Sequence, residues 1–240
     1  MSEYLKIVFW NQEPVRVADD STSQSGQTVT LRYIPGTVLR GVVINALAQD
    51  EDFETIKKSL FSTNIRFLNA YLTDGERQLL PSPKGFYEDK SQQPGKKEID
   101  NVVIDGEFEE GKKRASLGRF CYMEDDCVYY YNVDTGSDLK IKINDEEQNV
   151  FRHEYICARY VFTGYIAVGD EPLRDRIRNV FSGDFVVGNA RSAGLGKCRV
   201  MHCEYTDKIP YEEYLPDGDL EKECYMMLLS NTVMRNAGGE

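Results

Sequence analysis

The chain has 240 residues, 41% of them hydrophobic, and a formal net charge of −11 at pH 7. That hydrophobic content suffices for a substantial core and excludes a disordered tail, while the acidic balance argues against a free-standing, non-specific nucleic-acid binder, which needs an excess of Lys and Arg to neutralise phosphates. No run approaches the roughly 18 consecutive apolar residues of a membrane span, and the start MSEYLKIVFW has neither a basic n-region nor a cleavage site; the expectation is a cytoplasmic protein without a membrane partner.

Tyr4 to Trp10 is rich in β-branched and aromatic residues and reads as a first, central strand. Asn11 to Gln27, with Asp19, Asp20, three serines and Gly26, has loop composition. After Thr28 to Tyr33, Pro35 and Gly36 make a turn and Thr37 is the expected cap of a helix on which Val38, Leu39, Val42, Val43, Ala46 and Leu47 recur at helical spacing. Asp52 to Phe61 reads as a second short helix and Ile65 to Leu72 as the strand that follows it. Residues 81–150 form a polar insertion, in which Ser116 to Tyr131 and Leu139 to Ile143 resemble hairpin strands. From His153 onward EYICARYVFTGYIAVG reads as one long strand, Leu173 to Phe181 as an amphipathic helix and KCRVMHCEY as a strand, before an acidic linker and the apolar run CYMMLLSNTVM. The expected class is α+β, with units at 1–80 and 151–240 bracketing the insertion.

The six cysteines form no CxxC pair and several sit in apolar runs, which suits reduced thiols. Cys198, His202 and Cys203 hold ligand atoms for zinc, but alternate residues of a strand point to opposite faces, so a shared metal would need a bulge; no metal is expected. Charge is uneven along the chain. Glu171 to Arg199 carries six basic residues against three acidic, whereas Val200 to Glu240 carries nine acidic against three basic, a pattern that suggests a basic working face. Tyr129, Tyr130 and Tyr131 are consecutive, so if they form a strand alternate rings face outward, where they offer stacking surfaces for unpaired bases.

GNARSAGLGK, from Gly188 to Lys197, places three glycines between a helix region and a strand, with Arg191, Ser192 and Lys197 interleaved. Glycine permits positive φ and close backbone approach, exposed amides bind anions, and the cations supply charge for phosphate. It is not a Walker A loop, because Cys198 follows Lys197 where Ser or Thr is required, and it does not fit the dinucleotide fingerprint. A glycine-rich turn that merely closes a hairpin is the competing explanation.

Together with Ile34-Pro35-Gly36-Thr37-Val38-Leu39-Arg40-Gly41, this loop resembles the paired signature of the repeat-associated (RAMP) superfamily of CRISPR effector proteins, an IPGSSLRG-like helix opening and a later GxxRSxGxGxV-like loop. LPSPKG, FTGYIAVG and MMLLSNTVMRNAG look like the large type III-D subunit that caps the guide RNA at its 5-prime tag, and members of that group are longer, so the resemblance implies an amino-terminal part or an abbreviated relative. It further implies two packed ferredoxin-like, RNA-recognition-type units with a polar β-hairpin insertion, and a non-catalytic role in antiviral defence. The implied partners are CRISPR guide RNA, other type III effector subunits and, indirectly, target RNA, with no cofactor. The residues implied to hold RNA are Arg40, Gly188, Arg191, Ser192, Gly194, Gly196 and Lys197. The alternative is a repeating backbone subunit that cleaves target RNA through a loop aspartate, for which Asp19 and Asp20 are the candidates, though the glycine-rich lead-in is missing. A processing nuclease would need histidine, and His153 and His202 both lie in strand-like runs.

Overall fold

A computed structural model describes residues 4–18, 27–91, 98–102, 110–115, 118–125, 127–143, 148–189, 193–209 and 229. The chain divides into two compact units, Met1–Gln78 with Val133–Leu215, and Leu79–Asn132 with Pro216–Glu240. In chain order the first stretch gives β1 (Tyr4–Asn11), β2 (Gln27–Thr28), α1 (Gly36–Leu47), α2 (Phe53–Leu60), β3 (Ile65–Phe67) and β4 (Tyr71–Leu72). The second unit holds β5 (Leu80–Pro81), β6 (Phe86–Asp89), β7 (Asp100–Asn101), β8 (Lys112–Arg114), β9 (Phe120–Glu124) and β10 (Cys127–Tyr131). The chain then returns to the first unit as β11 (Thr135–Ile143), β12 (Gln148–Ile156), β13 (Val161–Val168), α3 (Glu171–Val180), β14 (Asp184–Val186) and β15 (Lys197–Thr206).

The main sheet of the first unit runs β14-β15-β1-β13-β3, with β4 also paired to β13, and every pairing is antiparallel. If β1, β3, β13 and β15 are numbered one to four along the chain, their order across the sheet is 4-1-3-2. Leu5, Ile7, Phe9 and Asn11 alternate on one face of β1 and are fully buried, opposite Ile166, Gly164 and Phe162 of β13. Each of those large apolar side chains contributes about 1.5–3 kcal/mol on burial. Helix α1 lies on this face: a Cβ at Gly164 would stand 3.1 Å from the Leu39 side chain, so the missing side chain lets the helix seat closely. Helix α3 covers the same face through Leu173 and Ile177, and Phe9, Phe162, Phe181 and Phe185 form an aromatic cluster with centroids 5.0–5.7 Å apart.

The strands of 1–80 and 151–206 therefore share one sheet, where the sequence suggested two units each with its own. The cause is the central position of β1, whose two edges are taken by β13 and β15 from the far end of the chain. The hairpin β11–β12 clusters with this first unit, not with the insertion. The long strand expected from His153 is also broken, because Cys157 to Tyr160 turn between β12 and β13 with Arg159 at φ 77°. Asn11 secures that turn. Its side chain donates to the carbonyls of Glu13 (3.0 Å) and Cys157 (2.8 Å) and accepts from the Tyr160 N–H (2.8 Å), so a fully buried amide has its hydrogen bonds satisfied.

In the second unit β10, β9 and β5 form one antiparallel sheet and β7, β6 and β8 another. Buried Glu88 lies 3.3 Å from Lys113 across the β6–β8 pair. The apolar run CYMMLLSNTVM lies outside the described residues except for Leu229. Among the described residues no helix is long and apolar enough to cross a membrane.

Candidate nucleic-acid interface

The register of the sheet places the two sequence motifs at different levels. Asn11, at the end of β1, faces Cys198 at the start of β15, and Trp10 faces Val161 at the start of β13. Leu72 of β4 faces Phe162 beside it, and Ile34 and Ala70 exchange two backbone hydrogen bonds of 3.0 and 2.8 Å. The Pro35–Gly36 turn that opens α1 lies instead at the level of Phe67, which pairs with Ile166 opposite Leu5, so it stands toward the Tyr4 end of the sheet and away from Gly188 to Lys197. Gly36 has to be glycine here, since a Cβ would lie 2.0 Å from the Phe67 carbonyl oxygen. Its N–H donates to the Asn69 side chain (3.0 Å), which caps the helix; Thr37, the cap expected from sequence, is exposed and makes no such bond.

The glycine-rich loop is laid against the backbone of residues 12–17. Gly188 (φ 75°) would drive a Cβ to 2.2 Å from the Arg16 carbonyl, which accepts the Asn189 N–H at 2.9 Å. Gly196 (φ 94°) would drive one to 2.0 Å from the Val187 carbonyl; its own N–H donates to Pro14 and its carbonyl accepts from Val187, both at 2.9 Å. The Lys197 carbonyl accepts from Gln12 and Glu13, and its N–H donates to the Glu13 carboxylate at 3.2 Å. The amides of Asn189, Gly196 and Lys197 are thus spent on the fold and do not face an anion. Gly194 differs. It has φ 73° and nothing within 4 Å of the Cβ position, so the open crest of the loop lies there.

The expected cations are distributed unevenly. Lys197 lies 3.4 Å from Asp184, whose carboxylate also takes two hydrogen bonds from Arg199 (2.8 and 3.2 Å) and is held below its usual range by Arg199 first and Lys197 second. Arg40 lies with its guanidinium 4.6 Å from the centre of the Phe61 ring. Arg191 and Ser192 fall outside the described residues, as do Asp19 and Asp20. The basic run of α3 is engaged in packing: Arg176 pairs with Glu51, and Arg174 and Arg178 lie 5.3 Å over Tyr205, whose hydroxyl donates to Asp175.

Sequence reasoning passed over Arg16. Its guanidinium lies 2.5 Å from His153 Nδ1, and 137 residues separate the two, so no local pattern could have joined them. Burial, then the charges of Arg16 and Lys140, push His153 below its ordinary value against a smaller opposing pull from Asp138. A neutral ring accepting from Arg16 follows. Glu154, the next residue, points to the other strand face: burial raises its carboxyl, but hydrogen bonds from Arg32 (2.8 Å) and the Thr30 N–H (3.1 Å), with the Arg32 charge, leave it lowered. His153 and Glu154 are not an acid–base pair.

On β15 the pairing slips between Val8 and Phe9, leaving Met201 bulged. Cys198 and Cys203 consequently share the helix-covered face, opposite Asn11 and Ile7, while His202 opposite Val8 faces the other way. Burial pushes the Cys198 thiol up to about 12. Among the described residues no group of three side chains could hold a metal ion. In the second unit Tyr129, Tyr130 and Tyr131 are 41–48% exposed, and Tyr122 stacks on Tyr129 at 4.9 Å. The hairpin that carries them ends in exposed Glu124 and Asp125.

No family model matches the sequence, and no curated protein matches it. Solved structures are similar in fold. One is a chain of the type III-B Cmr-beta complex bound to cognate target RNA, at 13% identity and TM-score 0.46, with 85% of this chain and 61% of that chain covered. Another is in a type IV-B CRISPR complex, at 12% identity and TM-score 0.40 over 91% and 96% of the two chains. A third is oligomeric Cmr4 from Pyrococcus furiosus, at 13% identity and TM-score 0.40 over 85% and 99%. The chain spans less than two thirds of the length of the first of these. The likeness assigns no residue a role.

Proposed function

We propose that this chain is a non-catalytic, RNA-binding subunit of a CRISPR type III effector ribonucleoprotein, which holds the 5-prime tag region of the guide RNA and contacts neighbouring subunits. The observation that carries the reading is the glycine-rich loop at the Asn11 end of the sheet, held against residues 12–17 in a form that only glycine fits at Gly188 and Gly196 and left open at Gly194. The 4-1-3-2 strand order with both helices on one face supports a ferredoxin-like core, with Leu79–Asn132 of the second unit falling between its second and third strands in the chain. In this reading the phosphate contact centres on the open position at Gly194, with charge from Arg191 and Lys197, and Gly188 and Gly196 anchor the loop.

The test is guide RNA retention by the full chain with its companion subunits. Gly194→Asp combined with Arg191→Ala adds a negative charge at an open position whose φ Asp tolerates, and removes a cation. Retention is expected to fall at least about tenfold, the scale of one lost charge-assisted contact, with the melting temperature little changed. Unchanged retention would overturn the reading. Replacing Asp19 and Asp20 with alanine is expected to leave target RNA cutting by the assembled complex intact; loss of cutting with RNA still bound would assign this chain the nuclease role.

A further inference from the structure

Helix α2 has a second side that carries exposed aromatic rings. Ile56 and Leu60 are 1% exposed and face the core, whereas Phe53 is 66% and Phe61 54% exposed. Phe53, Lys57 and Phe61 recur every four residues, so they form one stripe about 12 Å long on the outer side of the helix. Arg40, one turn into α1, lies over one side of the Phe61 ring. Lys57 and Lys58 are both exposed. Of the nearby acids, Asp52 is engaged in capping α2 through the Thr55 N–H (3.1 Å) and hydroxyl (2.7 Å), and Glu54 stands four residues before Lys58, the spacing at which the two charges offset each other. Arg40 and Lys57 remain beside the rings.

We infer that the stripe Phe53–Lys57–Phe61, backed by Arg40, is a stacking platform for unpaired bases of a single-stranded RNA. Exposed aromatic rings interleaved with cations are what single-stranded nucleic acid requires: the rings take base faces without regard to sequence, and the cations take the backbone. A protein partner is less well matched, because the cores of protein interfaces are depleted of charge and here lysine stands between the two rings. The tyrosine hairpin of the second unit is the opposite case, with rings flanked by the acids Glu124 and Asp125, which repel phosphate. Arg40 in this account supports a ring that stacks on a base, in place of gripping a phosphate itself. The inference rests on the chain being an RNA binder and adds a second contact to it.

The experiment uses the full chain and a short single-stranded RNA carrying 2-aminopurine, whose fluorescence is quenched when it stacks. Phe61→Leu keeps an apolar side chain of similar burial demand and removes the ring; affinity is expected to fall about tenfold and the quench to disappear, while Phe61→Tyr retains both. Lys57→Ala is expected to lower the slope of log affinity against log salt by about one. If Phe53→Leu and Phe61→Leu leave affinity and quench unchanged while Gly194→Asp weakens binding, the platform is refuted and the loop assignment stands. If the unmodified chain, alone and with its companions, binds no RNA, the functional reading itself fails. If the two leucine variants lose a companion subunit at unchanged RNA affinity, the stripe is a protein interface and the inference is wrong.

Discussion

Gly194 and Gly196 are two residues apart and both have positive φ, yet they do different things. At Gly196 an added Cβ would meet the Val187 carbonyl at 2.0 Å, whereas at Gly194 it would meet nothing within 4 Å. Left-handed backbone costs an L-residue about 1–2 kcal/mol, and a backbone clash adds to that. Gly194→Ala is therefore expected to lose about 1 kcal/mol in urea denaturation and Gly196→Ala distinctly more. Equal losses would mean that the loop yields at Gly196 and does not anchor the crest. The same scale explains Asn11, a polar side chain tolerated at zero exposure because three backbone groups of the 11–13 and 157–160 segments meet it.

Among the elements, α1 has an unusual start. Its N-cap position is Pro35, which has no side-chain acceptor, and the bond comes instead from Asn69, in the link between β3 and β4. This ties the helix start to the strand link that runs beside Tyr165 and Gly164 of β13. Asn69→Ala should cost about 1 kcal/mol, as other cap deletions do, and Asn69→Asp should retain most of it because a carboxylate also accepts the bond. Chemical denaturation of the two variants checks this, and equal losses would show that the Asn69–Tyr71 contact (3.0 Å), and not the cap, is what matters. Helix α2, by contrast, caps itself through Asp52, as its local sequence suggests.

Over the whole first unit, contacts distant in sequence set the response to pH. Arg16 and His153 join the loop after β1 to the hairpin β11–β12. His153 titrates below its ordinary value of 6.5, so the unfolded chain takes up its proton more readily than the folded one. Its contribution is present above about pH 6.5 and is lost as the pH falls through the lowered folded value. The melting temperature should therefore drop from pH 7.5 to pH 5.5, and His153→Gln, which still accepts from Arg16 but does not titrate, should flatten that drop. An unchanged slope in the variant would place the pH response elsewhere. Glu154 is also lowered and acts further down, with its contribution lost below its ordinary value near 4.5.

The sequence alone determined the local facts: β1, α1, α2, α3 and β15 within a residue or two, the core periodicity, and the positions of the two glycine-bearing motifs. These follow from side-chain period and from turn chemistry, which act over a few residues. The tertiary structure decided what depends on partners far along the chain. It put strands from both ends into one sheet, broke the run after His153 at Arg159, moved the cap of α1 from Thr37 to Asn69, and paired Arg16 with His153. It also divided the glycine-rich loop into anchors at Gly188 and Gly196 and an open crest at Gly194, because only the approach of residues 12–17, some 180 positions away, determines which amides are already used.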